Sequence, residues 1–222
     1  LSDGIEQSLQ EKIDDWCGLH GLERLDNPQR IVAHQAAFNV LLKSTLYEHY
    51  RQHEDLPELD SDVQSAFKTA RNKTTDPAFD EYVLDDVARL AGPGVLDEIV
   101  DARLQLIRSA EPAEEIGRLF ETLVPQEGRR KLGQFRTPPT IASLMASWLI
   151  DDGNERVLDP GMGAGALSAA AYGQKQALED APSLGDIYGI DLNELALVMC
   201  ATSLTLQNHG GSHNIQIEDF LE

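Results

Sequence analysis

The chain has 222 residues, 41% of them hydrophobic, enough to bury one large core or two smaller ones. Its 38 acids against 18 bases give a formal charge of −20, which argues against a surface that grips a phosphate backbone unaided. Cys17 and Cys200 stand far apart with no CxxC and no clustered histidines, so neither a disulfide scaffold nor a structural zinc centre is indicated. The first residues lack the basic and apolar regions of a signal peptide, and no apolar run reaches the roughly 18 residues of a membrane span, so no membrane contact is expected. The expected setting is the cytoplasm. The acidity is dispersed: Leu1 to Leu132 carries 26 acids and 15 bases, Gly133 to Glu222 carries 12 and 3. One explanation is a halophilic host, whose salt screens the self-repulsion. The other is an acidic module that leaves polynucleotide contact to another chain or segment. A melting temperature that climbs steeply with molar salt is the result expected of the first, and indifference to salt overturns it.

The pattern over 1–124 is helical and predicts an all-helical domain. Ile5, Leu9 and Ile13 recur every fourth residue and lead to Trp16. Asn27–Pro28 is a helix start, a capping side chain before proline at the first helical position. That helix is predicted to run to about His53, with Ile31, Ala36, Phe38, Leu41, Leu42 and Leu46 as its apolar stripe. His49 and His53 lie one turn apart beside Glu48 and Glu54, a geometry able to bind metal. With no third ligand clustered there, the preferred reading is the wet face of the helix. A shorter helix covers Val63 to Lys73 with Phe67 inward, and another Pro77 to Leu90, ended by Ala91–Gly92–Pro93–Gly94. Two further stripes follow, Leu96, Ile99, Val100, Leu104 and Ile107, then Ile116, Leu119, Phe120 and Leu123. None of this names a reaction.

Residues 125–131 read as a polar linker ending in Arg129, Arg130 and Lys131. With Arg136 they form the chain's basic cluster, either a solvated linker or a contact to backbone phosphates. A helix from Pro138 to Ile150 follows, with Thr137 as cap and Ile141, Leu144, Met145, Trp148 and Leu149 as its buried face.

From Arg156 the pattern alternates strand and helix. Val157–Leu158 is a strand, followed by Asp159, Pro160 and glycines at alternate positions, Gly161, Gly163 and Gly165, before a helix over Ala166 to Leu178. A strand that turns through glycines into a helix brings backbone N–H groups close to a ligand, though the same turn serves any α/β protein. Ile187 to Ile190 is a second strand, ending at Asp191, 26 residues beyond Gly165. An acid at that tip is placed to accept both hydroxyls of a ribose, and alone it reads equally as a helix cap. Asn193 caps a helix with Leu195, Met199, Ser203 and Leu206 on one face, in which Cys200 is a buried small hydrophobe. His213 to Ile217 is a third strand, running into Glu218–Asp219–Phe220. Successive βα elements predict an open parallel sheet over 132–222, about half of such a domain.

The residues themselves narrow the ligand. A carboxylate at Asp159 disfavours a pyrophosphate, because two anions about 3–4 Å apart repel unless a cation intervenes. No Lys–Ser/Thr pair follows the glycines, which argues against a Walker phosphate loop. The glycine loop would hold the polar tail of an adenosine-like cofactor beside Asp159, and Asp191 its ribose. Asp219 would accept from an adenine amino group with Phe220 against the ring, unless Asp219 is simply a surface residue. This set suits S-adenosylmethionine, whose sulfonium and ammonium are cationic and whose carboxylate can meet helix-end N–H groups. The expectation is that Asp159, Asp191 and Asp219 face one cleft.

Read together, GQFRTP, LDPGMGAGAL, GIDLN and IEDFL resemble, in order, the amino-proximal motifs of the adenine-N6 DNA methyltransferases. The likeness covers Leu132 to Glu222 and is closest to the branch with a helical N-terminal region, which includes modification subunits of restriction systems. It implies an N-terminal all-helical domain followed by the first half of a Rossmann-like, S-adenosylmethionine-dependent methyltransferase domain. On this resemblance Phe135 packs near the methionine portion of the cofactor, and Thr137 and Pro138 shape that wall. Arg136 holds a variable place and is assigned no chemistry. Asp159, Gly161, Gly163 and Gly165 match the glycine-loop motif, Asp191 the ribose acid, and Asp219–Phe220 the adenine-contact pair. The family's catalytic tetrapeptide, Asn or Asp, Pro, Pro, then Tyr or Phe, holds the amine of a flipped base. The sequence does not contain it; its one Pro-Pro, Pro138–Pro139, follows Thr137 and precedes the first strand. No catalytic residue and no metal ligand is therefore assigned. The expectation is the cofactor-binding part of a longer enzyme that methylates N6 of adenine in DNA, inactive alone. Expected partners are DNA in the full-length protein and restriction or specificity subunits, with a homodimer as a further candidate through the open sheet edge. Two alternatives stand beside it: an RNA or protein-amide acceptor, and a non-catalytic helical assembly module with a degenerate cofactor fold.

Overall fold

A computed structural model describes residues 2–60, 62–123, 136–179, 182–207 and 213–221. The expected linker over 125–131, with Arg129, Arg130 and Lys131, and Phe135 lie outside the described residues. The described chain is mostly helical with a small parallel sheet. Six helices come first: α1 Ser2–Leu19, α2 Pro28–Arg51, α3 Val63–Thr74, α4 Val83–Ala88, α5 Pro93–Ile107 and α6 Pro112–Leu123. Then follow α7 Pro139–Leu149, β1 Val157–Asp159, α8 Ala166–Leu178, β2 Ile187–Asp191, α9 Glu194–Gln207 and β3 Asn214–Ile217.

The long helix α2 begins at Pro28 as expected, but Asn27 takes a left-handed conformation and makes no side-chain cap. Packed against α4, α5 and α9, α2 is buried nearly all round over its second half, polar residues Lys43, Glu48 and His49 included. His49 is therefore not on the wet face; its ring packs beside His53 with centroids 5.5 Å apart. Among the described residues no group of three or more His, Cys, Asp or Glu could hold a metal, and no helix is long and apolar enough to cross a membrane.

The helix predicted over Pro77 to Leu90 is broken. Asp76 accepts the Ala78 N–H at 2.9 Å and closes a short 3-10 turn, Pro77–Phe79. Tyr82 is extended, and its N–H donates to the Asp85 carboxylate at 2.9 Å, which starts α4 afresh. An acid three residues inside a helix start holds the N-cap amide and fixes the break.

The face of α7 also differs from expectation. Ala142, Ala146 and Ile150 face inward against α8, while Ile141, Leu144, Met145, Trp148 and Leu149 are 41–79% exposed. Alanines let two helices approach closely, so the bulky side of α7 is turned outward. Thr137 is not its cap; Pro138 holds the N-cap position, and its carbonyl accepts the Ile141 and Ala142 N–H groups.

The strands lie in the order β1-β2-β3, all parallel. Asp159 pairs with Gly189, and Asp191 with Ile217, so every strand delivers its carboxyl end to one edge. Helix α9 is hydrophobic all round and buried from Leu195 to Thr205, as a helix held between two layers must be. One side meets β2 and β3, the other α2 and α6. The helical region and the sheet thus share one core, in which Phe38, Leu46, Phe79 and Ile116 are continuous with Leu195, Val198, Met199 and Leu204. Burying each such side chain contributes about 1.5–3 kcal/mol. A buried polar link adds direction to this packing. His213 Nε2, just before β3, lies 3.3 Å from Asp76 Oδ2, which also accepts the Tyr50 hydroxyl at 2.9 Å. Burial alone would raise the Asp76 carboxyl, but His213, the Ala78 amide and Tyr50 outweigh it and hold the group below its ordinary range.

Candidate cofactor site

The glycine loop is folded over the tip of β2. Met162 N–H donates to Ile190 O at 3.2 Å, and Gly163 N–H to Asp191 Oδ2 at 3.0 Å. Asp191 Oδ1 accepts the Asn193 N–H at 2.9 Å, and Asn193 Oδ1 accepts the Leu195 N–H at 2.9 Å, so Asn193 caps α9 as predicted. Gly163 and Gly165 hold positive φ, 51° and 80°, where other residues are strained. Gly161 has no such constraint, and a Cβ there would meet nothing within 4 Å, which leaves the loop's outer face open to a ligand. Asp191 is part-buried with two backbone amides on its oxygens. A carboxylate offers about four lone-pair positions, so it retains capacity for a pair of hydroxyls.

Asp159 is placed differently. The residue is 6% exposed and its carboxyl lies beneath the loop, with Oδ2 accepting the Ser168 hydroxyl at 2.8 Å. Burial pushes this carboxyl up, the Ser168 side chain and backbone bonds oppose it, and the Asp191 charge adds a further upward push. Asp159 therefore braces the start of α8 from below. Asp219 sits at the same sheet edge, exposed, with Oδ1 accepting the Leu221 N–H at 2.9 Å, and Phe220 is 51% exposed beside it. The structure brings Asp191 and Gly163 into contact, sets Asp159 under the loop, and leaves Asp219 and Phe220 at the rim.

The segment before α7 reaches the same loop from the side. Arg136, Thr137 and Pro139 line a cavity of about 460 Å³ with Ala164 and Ala166, the residues flanking Gly165. Thr137 is part-buried and Pro138 exposed. Arg136, to which the motif gives no chemistry, anchors this wall. Its guanidinium lies 3.5 Å from Glu121 and 4.0 Å from Glu114, on one face of α6. A Cβ at Gly117 would come within 2.6 Å of Arg136 Cδ, so the glycine admits the arginine stem.

Residues 113–222 match the family model described as N-6 DNA Methylase. The chain belongs to the N-6 DNA methylase family. This is a family of methyltransferases that generally use S-adenosylmethionine. The methylase match begins inside α6, upstream of the motifs that start at Leu132, and so takes in Gly117 and the acids that hold Arg136. Other residues of the methylase region have packing roles that the motifs do not state. Gly189 is one: a Cβ there would lie 2.6 Å from Met162 Sδ, so the glycine in IYGID houses the methionine of the loop. Ser168 is another, recognisable only once α8 is seen to start above Asp159.

Proposed function

We propose that the carboxyl ends of β1, β2 and β3 bind S-adenosylmethionine as the cofactor-holding part of an enzyme that methylates N6 of adenine in DNA. The observation that carries the reading is the Asp191 carboxylate clasping Gly163 N–H across two strands, 28 positions apart. When bound, the cofactor supplies an electrophilic methyl group on a cationic sulfonium. The residues of this chain bind and orient. Asp191 accepts the ribose hydroxyls, the open face of Gly161 lets the loop approach the amino-acid tail, and Thr137 closes the side. Phe220 offers a ring face for the adenine and Asp219 an acceptor for its amino group after turning from Leu221. Two carboxylates near the site favour a ligand of net positive charge over a nucleotide polyphosphate. No residue here is assigned to the target amine, and with a charge of −20 the proposed DNA contact rests largely on other segments or subunits.

Titration calorimetry with S-adenosylmethionine tests the reading. Removing a charged acceptor costs roughly 1.5–3 kcal/mol, so Asp191→Ala is expected to weaken binding by about ten- to a hundredfold. Absence of binding to the unmodified chain, or equal affinity for Asp191→Ala, overturns it.

A further inference from the structure

Glu194, the first residue of α9, stands three positions past Asp191 and extends toward the helical region. Its Oε1 accepts the Leu84 N–H at 3.1 Å, across 110 positions of sequence, and the Val83 N–H bonds to the same carboxylate. These are the first two amides of α4, and a helix start has no partners of its own for them. Burial pushes the Glu194 carboxyl up to about 7, against the downward pull of those two bonds. The other end of the same turn holds Asp191, whose oxygens carry the Gly163 and Asn193 amides. Asp191 to Glu194 is therefore a bracket with one foot on the glycine loop and the other on the helical region. That second foot is firm, because Asp85 of α4 is bonded to Asn39 and Lys43 of α2 at 2.9 and 2.6 Å.

We propose that Glu194 is a positioning residue through which the helical region sets where the ribose acid Asp191 and the glycine loop meet. Its effect on cofactor affinity rests on the function proposed above; its effect on the loop does not. Amide hydrogen exchange and S-adenosylmethionine calorimetry on the whole chain, with Glu194→Ala and Glu194→Gln, test it. Glu194→Ala is expected to speed exchange at Gly163 and Asn193 by roughly tenfold and to weaken cofactor binding by a similar factor. Glu194→Gln keeps an oxygen for Leu84 and is expected to stay within a few-fold of the unmodified chain. If the alanine variant does not fold, Glu194→Asp, charged but one methylene too short, is expected to loosen the same two amides. Acceleration confined to Val83 and Leu84 makes Glu194 a local cap and overturns the proposal, as does a glutamine variant no better than alanine. A chain that binds no S-adenosylmethionine while Gly163 and Asn193 still loosen in Glu194→Ala defeats the proposed function and leaves the positioning role standing.

Discussion

Gly165→Ala is expected to destabilise the protein by roughly 2–5 kcal/mol and to remove S-adenosylmethionine binding. Two separate costs meet at this residue. Its φ of 80° and ψ of 22° lie in the left-handed region, where a Cβ costs about 1–2 kcal/mol. The added carbon would also sit 2.9 Å from Cys200 Sγ and 3.0 Å from Cys200 Cα, which belongs to the backbone of α9. A side chain can turn aside, but α9 is buried from Leu195 to Thr205 and cannot. Overpacking of this kind adds about 1–3 kcal/mol. The loop must then lift, and Gly165 is also its hinge, donating to Met162 O and accepting from Ala169 N–H, both at 2.8 Å. Gly163→Ala is the control: φ is 51° but no atom lies within 4 Å, so only the backbone cost applies. Denaturant unfolding of both variants decides the matter, and equal losses would mean that the approach to Cys200 is not tight. Adding Cys200→Ala to Gly165→Ala should restore part of the loss, since it removes the sulfur and leaves the clash with the helix backbone.

The glycine loop was legible in sequence because its requirements are local: a strand end, positive φ at two glycines, and a helix directly after. The Asn193 cap was legible for the same reason, since it acts two residues ahead of itself, whereas the Asp191 bond to Gly163 spans 28 positions and shows only in the fold. The failures share the opposite property. Periodicity found the bulky stripe of α7, yet nothing in residues 138–150 says that α8 would take the alanine side instead. The break in the helix over 77–90 depends on Asp85 turning to Tyr82 N–H while its other bonds go to α2. Burial of His49 follows from α2 being enclosed by several helices, which no stripe on α2 alone predicts. Arg136 reads as part of a basic cluster, and its role emerges only from Gly117 and two acids on α6. Glu194 is the extreme case, since its partner lies 110 positions away. Local chemistry marks out the candidate site; the parts that hold it come from long-range packing.

That packing has a polar node, and its removal is expected to be as costly as any apolar truncation. Asp85→Ala should lower stability by about 3–5 kcal/mol, the range for breaking a buried ion pair by deleting one partner. Lys43 and Asp85 meet at 2.6 Å with side chains only 1% and 2% exposed. Without Asp85 the ammonium keeps the Asp80 carbonyl at 2.8 Å and the ring faces of Tyr82 and Phe67 at 4.9 and 5.8 Å, and its remaining countercharges are the more distant Glu194 and Asp80 carboxylates. Burial already depresses the Lys43 ammonium, with Asp85 the chief opposing pull, so the variant sheds this proton more readily and part of the penalty becomes pH-dependent. Asn39 and the Tyr82 amide lose their acceptor as well. Lys43→Met should cost less, because Asp85 would keep both of those donors and the methionine would fill much of the lysine's volume. In the double variant Lys43→Met, Asp85→Leu no unpaired charge remains, and a loss smaller than that of Asp85→Ala is expected. Urea unfolding of the three proteins gives the ordering, and a loss under about 1 kcal/mol for Asp85→Ala would show a pair that water reaches. Because Asp85 anchors the same short helix whose first amides Glu194 holds, the loss should also appear at the cofactor edge, as faster exchange at Gly163 and weaker S-adenosylmethionine binding.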